Sequence, residues 1–273
     1  MNKLKRIAVI NDLSGSSRCS LTVAIPIITA SGIQCCVMPT AILSNHTGYT
    51  HYFFDDYTDK MEHFTSNWQK QNLSFDGIYT GFLGSEHQIE VVTDFIKKFA
   101  KEDTKLIVDP VMGDDGKIYT TYTHSMCRAM KKIAAHADVV TPNITEACVL
   151  ADTQYQSEFI SEETAKEICK KIYTLGAKNV VLTGVKDNDT ISNYVYDGKV
   201  FEKYSSPLLP TYFSGTGDVF SSIIASRIVN GNSIFESVEF ATEYIHKVTE
   251  YSQKQGLTWE EGICIEKFIK DLI

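Results

Sequence analysis

The 273 residues contain no C-x-x-C pair, no Pro/Ser-rich run, no internal repeat and no block of like charge. Each absence removes a class of protein. The seven cysteines are scattered apart from the adjacent Cys35 and Cys36, which argues against a thiolate zinc site or a dithiol redox pair. Reduced thiols in a cytoplasmic protein are the expectation, several of them, Cys35 and Cys36 included, acting as small buried side chains. The basic stretch up to Arg6 leads into an apolar run too short for a secretory leader or a membrane span, so no membrane partner is expected. With no linker-like segment, one domain over residues 1–273 is expected. Positive charge is also scarce: 26 Lys and Arg face 34 Asp and Glu, a formal net charge of −8. That disfavours nucleic acid as a partner through any general electrostatic footprint.

What the chain does have is alternation. Short β-branched runs at 6–11, 33–38, 77–79, 105–109, 138–141 and 179–183 read as buried strands. Between and after them, residues 21–28, 58–71, 86–100, 124–135, the stretch from Ser161 to Gly176, 216–229, 234–251 and 263–273 carry helical spacing. Pro26 predicts a kink or a late start in the first helix. Residues 12–17 read as a turn, 110–121 as a glycine-containing loop, and 194–201 as a hairpin turning at Asp197-Gly198. Strands alternating with helices predict an α/β protein: three layers, α/β/α, around a mostly parallel sheet with a late β-hairpin.

The densest chemistry lies in Phe213-Ser-Gly-Thr-Gly-Asp218, just before an amphipathic helix. A helix start with flanking glycines exposes free backbone N–H groups and the positive end of the helix dipole. Gly215 and Gly217 would let a phosphate approach closely. A carboxylate there repels such a ligand unless it accepts a proton from an attacking hydroxyl, which is the role Asp218 suits. The plainer reading is that Thr216 caps the helix and Asp218 complements its dipole.

Other loops bear on that choice. Ser44-Asn-His-Thr-Gly-Tyr49, Thr80-Gly-Phe-Leu-Gly84, Asp109-Pro-Val-Met-Gly-Asp-Asp115, Thr141-Pro-Asn-Ile-Thr-Glu146 and Thr183-Gly184 each follow a predicted strand. In a parallel sheet they meet on one edge, where ligands bind. Taken singly, Asp109 ends a strand, Asp114 sits in a solvated turn and Glu146 is a first-turn acid. Gathered together they need positive charge, and magnesium with a nucleotide phosphate would supply it.

Five blocks resemble the pyridoxal (pyridoxine, pyridoxamine) kinases of the ribokinase-like superfamily over nearly the full chain. They are Asp12-Leu-Ser-Gly, Ser44-Asn-His-Thr-Gly-Tyr49, Asp109-Pro-Val-Met-Gly-Asp114, Thr141-Pro-Asn-x-x-Glu146 and Ser214-Gly-Thr-Gly-Asp218. The resemblance implies ATP-dependent phosphorylation of the 5′-hydroxymethyl of a B6 vitamer. Asp218 would be the base, with backbone N–H groups of Gly215, Thr216 and Gly217 facing the transferring phosphoryl group. Asp109, Asp114 and Glu146 would organise Mg2+, and a monovalent cation, K+ or Na+, could sit near Asp109 and Thr141. Tyr119, Thr141, Asn143 and Thr183 would line the nucleotide. Asn45 and Thr47 would lie near the vitamin ring, and a homodimer is implied.

Two positions depart from the family pattern. Asn11, followed by Asp12, stands where many members place a serine against the pyridine, and either Asn11 or Asp12 could bond the ring. Phe82 replaces a common tyrosine, keeping a stacking face. His46 reads as a hydrogen-bonding residue of its loop. The nearest rival is a hydroxymethylpyrimidine kinase of thiamine synthesis, in which a cysteine commonly occupies the position of Asp218. A sugar kinase lacks support in the first-strand region. A dinucleotide-dependent oxidoreductase would need a third glycine, and a non-catalytic vitamin-binding protein would not need Asp218.

Overall fold

The computed structural model describes residues 4–273. Its strands, in chain order, are β1 (Arg6–Ser14), β2 (Gln34–Leu43), β3 (Phe54–Asp56), β4 (Gly77–Thr80), β5 (Lys105–Val108), β6 (Gly113–Asp114), β7 (Lys117–Ile118), β8 (Val139–Val140), β9 (Val180–Asp187), β10 (Thr190–Tyr196) and β11 (Phe201–Pro207). The helices are α1 (Leu21–Ala30), α2 (Thr58–Lys70), α3 (Glu86–Phe99), α4 (His124–Ala134), α5 (Ile144–Leu150), α6 (Glu162–Leu175), α7 (Thr216–Asn230) and α8 (Ile234–Lys254).

Successive residues of a strand face opposite sides, so a fully apolar strand must be covered twice. Ile7, Val9, Tyr79, Ile107 and Val181 pack into one core with α1, α7 and α8. Their neighbours Ala8, Ile10, Ile78, Leu106, Val108, Val180 and Leu182 pack into a second core with α2 to α6. That gives the three layers. The main sheet runs β11-β10-β9-β8-β5-β4-β1-β2-β3, parallel from β9 through β2 and antiparallel at both ends. The loops that follow β1, β4, β5, β8 and the parallel part of β9 therefore open on one edge.

The late hairpin is present as β10 and β11, turning at 197–200. Asp197 Oδ1 accepts from the N–H groups of Lys199 and Val200 at 2.8 and 2.7 Å, an Asx-type turn.

Several expectations need correction. Residues 12–14 continue β1 rather than turning. A register shift between Asn11 and Leu13 keeps the strand paired to β2 as far as Leu43, and Pro39, which has no N–H to give, falls at that irregularity. Of the two outcomes expected from Pro26, a kink or a late start, the late start is excluded, because the first helix begins at Leu21 and holds Pro26 inside it. The segment 263–273 is not a helix beyond one 3₁₀ turn, Ile269–Leu272. Ile263 and Ile265 are both buried; this period of two suits an extended segment crossing the core, and Cys264 N–H bonds Ser252 Oγ at 2.9 Å. Cys35 and Cys36 are only half-buried, whereas Cys19, Cys127, Cys148 and Cys169 are buried; all seven thiols are free.

Candidate active site

Helix α7 is preceded by Gly215 at its N-cap, whose φ of +83° lies in the left-handed region. A β-carbon there would run into the carbonyl oxygen of Arg18, so both backbone angle and packing demand glycine. Gly217 is different. Its backbone is helical and a β-carbon would meet nothing within 4 Å, so the fold itself does not call for glycine there. The approach to this turn is fixed from the far end of the chain: Ser214 N–H donates to Trp259 O at 3.1 Å, and Ile263 N–H to Ser214 O at 3.2 Å.

Asp218 follows in the first turn, half-buried. Loss of hydration pushes its carboxyl pKa up to about 6, and the charge of Asp12 adds to the rise. The Ser20 backbone N–H and the Asn11 side chain work in the opposite direction. Asn11 Nδ2 donates to Asp218 Oδ1 at 3.0 Å. Asn11 Oδ1 accepts from Phe82 N–H at 2.8 Å and Asp12 N–H at 3.0 Å. Asp12 is buried and receives the hydroxyls of Ser14 at 2.7 Å and Ser20 at 2.6 Å. Asn11 thus bonds Asp218, and Asp12 lies near enough for its charge to act on the same carboxyl.

Next along the edge, Asp109 Oδ2 accepts from Ser221 Oγ at 3.0 Å, and Ser221 Oγ lies 2.9 Å from Thr141 Oγ1. Burial, then repulsion from Glu146 and Asp218, holds the Asp109 carboxyl well above the ordinary range. Glu146 sits in the first turn of α5 and closes a capping box with Asn143. Its Oε2 accepts from Asn143 N–H at 2.9 Å and its Oε1 from Met112 N–H at 3.0 Å. It is a brace between two loops as well as a charge. Burial raises its pKa to about 7 against those two hydrogen bonds. Asn143 Nδ2 donates to Gly113 O at 2.8 Å, and Thr183 N–H to Pro142 O at 2.9 Å. Tyr119 is 40% exposed; burial and then Glu146 push its phenol well up. Asp114 is exposed on β6, in the small hairpin with β7 that occupies the expected loop. Among the described residues, no three His, Cys, Asp or Glu side chains converge as a ready-made metal site.

In the 44–49 loop, Asn45 Nδ2 donates to His51 O at 2.9 Å and its Oδ1 accepts from Ser44 Oγ, while Thr47 is exposed. His46 Nδ1 accepts from Gly48 N–H at 3.0 Å, which leaves the proton on Nε2, 3.0 Å from Glu260 O. Its ring meets Trp259 edge-on at 5.3 Å. His46 is a hydrogen-bonding residue of the loop, as its sequence context suggests. Sequence reasoning missed Ser20, Ser221 and Trp259. Ser221 could have been found three residues after Asp218, on the same helix face; Ser20 and Trp259 carry no local signal.

The phosphomethylpyrimidine kinase family model matches residues 25–262. The chain belongs to that family. A Bacteroides thetaiotaomicron protein, provisionally named a phosphomethylpyrimidine kinase and solved with pyridoxal, is 39% identical over 99% of this chain and 96% of its own, with a TM-score of 0.92. Pyridoxal kinase from Lactobacillus plantarum is 26% identical over 99% of this chain and 97% of its own, with a TM-score of 0.91. The fold is therefore ribokinase-like, as the motifs implied. A provisionally named pyridoxal kinase of Schizosaccharomyces pombe is 30% identical over 70% of this chain. The chain spans 58% of that relative's length. Among the described residues, no helix is long and apolar enough to cross a membrane.

Proposed function

We propose that this chain transfers the γ-phosphoryl group of ATP to the 5′-hydroxymethyl of a B6 vitamer: pyridoxal, pyridoxamine or pyridoxine. The observation that carries the reading is the pair Gly217 and Asp218. A glycine that the fold does not require lies beside a carboxyl poised near pH 6, at the free N–H groups of a helix start. That combination suits an alcohol attacking a phosphoryl group. The substrate hydroxyl gives its proton to Asp218 as its oxygen bonds phosphorus and ADP departs. The N–H groups of Gly215, Thr216 and Gly217 face the phosphoryl oxygens. Thr141, Asn143, Thr183 and Tyr119 line the nucleotide, and Asn45, Thr47 and Phe82 the ring.

The acid edge fits a cation. Asp109 is buried against other carboxylates with a serine hydroxyl as its hydrogen-bond donor, an arrangement that positive charge would relieve. Asp109, Asp114 and Glu146 would hold Mg2+, in part through water, since both oxygens of Glu146 already accept backbone N–H groups. Magnesium, when bound, supplies neutralising charge on the phosphates. A monovalent cation would sit beside Asp109 and Thr141.

The second reading is a hydroxymethylpyrimidine kinase, favoured by the family match itself. The B6 reading draws on the Ser44–Tyr49 block and on the pyridoxal bound by the Bacteroides relative. ATP-dependent turnover of the three vitamers and hydroxymethylpyrimidine, side by side, tests both. Turnover of a vitamer supports the first; turnover of the pyrimidine alone transfers the assignment.

A further inference from the structure

The side-chain amide of Asn11 has one permitted orientation. Its Oδ1 accepts two backbone N–H groups, from Phe82 and Asp12, so its Nδ2 must be the atom directed at Asp218 Oδ1. The donors sit on two chain segments, one at the end of β1 and one after β4, which fixes the amide plane from both sides. A carboxylate accepting from a rigid donor is held in rotation and in charge state. Resting on the kinase reading above, we propose that Asn11 is a positioning residue, orienting the Asp218 carboxylate for proton transfer rather than recognising the substrate ring.

The groups bearing on Asp218 explain why a neutral donor is used there. Asp12 from β1, Asp109 after β5, Cys19 ahead of α1, Tyr79 on β4 and Tyr119 beyond β7 are near enough to interact electrostatically with it. Each is neutral with its proton and negative without it, and none brings positive charge. A second carboxylate at position 11 would meet Asp218 at about hydrogen-bond distance, and such a pair shares one proton.

Asn11→Asp keeps the shape and the two accepted N–H bonds but changes that donor. The carboxyl carbon of Asp218, followed by carbon-13 NMR without substrate, should titrate at least about one unit higher than in wild type. The pH–rate profile should move by the same amount, with about half of the rate lost at pH 7 and most of it regained above pH 8, and with the KM for ATP unchanged. Asn11→Ala, which removes the donor outright, should raise the Asp218 titration as well and serves if Asn11→Asp fails to fold. An unchanged titration in the folded variant overturns the proposal. So does a wild-type pH profile with a raised KM for the vitamer, which would make Asn11 a substrate contact. If wild type turns over no candidate alcohol, the kinase reading fails while the NMR titration still decides the role of Asn11.

Discussion

Ser221 Oγ donates to Asp109 Oδ2 at 3.0 Å, joining the helix that carries Asp218 to the strand end that carries Asp109. Asp218 and Ser221 are three residues apart on α7 and so share one face. The same hydroxyl contacts Thr141 Oγ1 at 2.9 Å, so β5, the loop after β8 and α7 meet at one buried oxygen. The acids of the site are thereby held close without a lysine or arginine in these bonds, an arrangement that costs stability while it waits for a cation.

Asp109→Asn should therefore stabilise the unliganded protein. A carboxyl whose pKa is raised on folding contributes stability that is complete below its unfolded value, near about 3.9. That contribution is lost as pH rises through the higher folded value. The variant should gain about 1–3 kcal/mol over wild type at pH 8, with the difference vanishing near pH 4. Urea denaturation at the two pH values measures it. Destabilisation at pH 8 would show that Asp109 is already compensated.

Asp218→Asn should lower turnover by about 10²–10⁴-fold without loss of fold. In wild type the base must be ionised, so the rate should fall as pH drops through about 6. Steady-state kinetics from pH 5 to 8 give both results. A flat profile across pH 6 would remove Asp218 from proton transfer.

The two glycines should separate folding from chemistry. Gly215→Ala meets both a left-handed backbone angle and the Arg18 carbonyl, and should cost more than about 2 kcal/mol. Gly217→Ala should leave stability unchanged or raise it by up to about 1 kcal/mol, yet lower turnover, because the methyl group enters the phosphoryl space. Thermal melts beside kinetics make the comparison; equal activity of Gly217→Ala and wild type would leave that space without a ligand.

Trp259→Ala should loosen the 44–49 loop, whose His46 packs on the Trp259 ring. The expected outcome is a rise of about tenfold in KM for the alcohol, with the KM for ATP spared. A rise in both would mean that Trp259 acts through Ser214 and the start of α7 instead.

Much of the fold was legible because its strands carry apolar residues on both faces and its helices on one. Lys105–Val108 and Glu86–Phe99 show these patterns within their own residues. Other features escaped. α5 has only seven residues, too few for a period to show. β3 is exposed throughout, so it lacks alternation. Residues 263–273 contain enough apolar side chains to mimic a helix, but Ile263 and Ile265 are drawn into the core two apart.

The sequence alone determined the layers, the edge on which the polar loops gather, and the helix start holding Gly215, Gly217 and Asp218, because each depends on residues adjacent in the chain. Only tertiary structure decided what those residues touch. Asn11 lies 207 positions from Asp218, and Ser221 lies 112 from Asp109. No local pattern encodes such pairs. The sheet order brings them together, and burial then gives one carboxyl a pKa near 6 and another near 7, values that their ordinary chemistry would not predict.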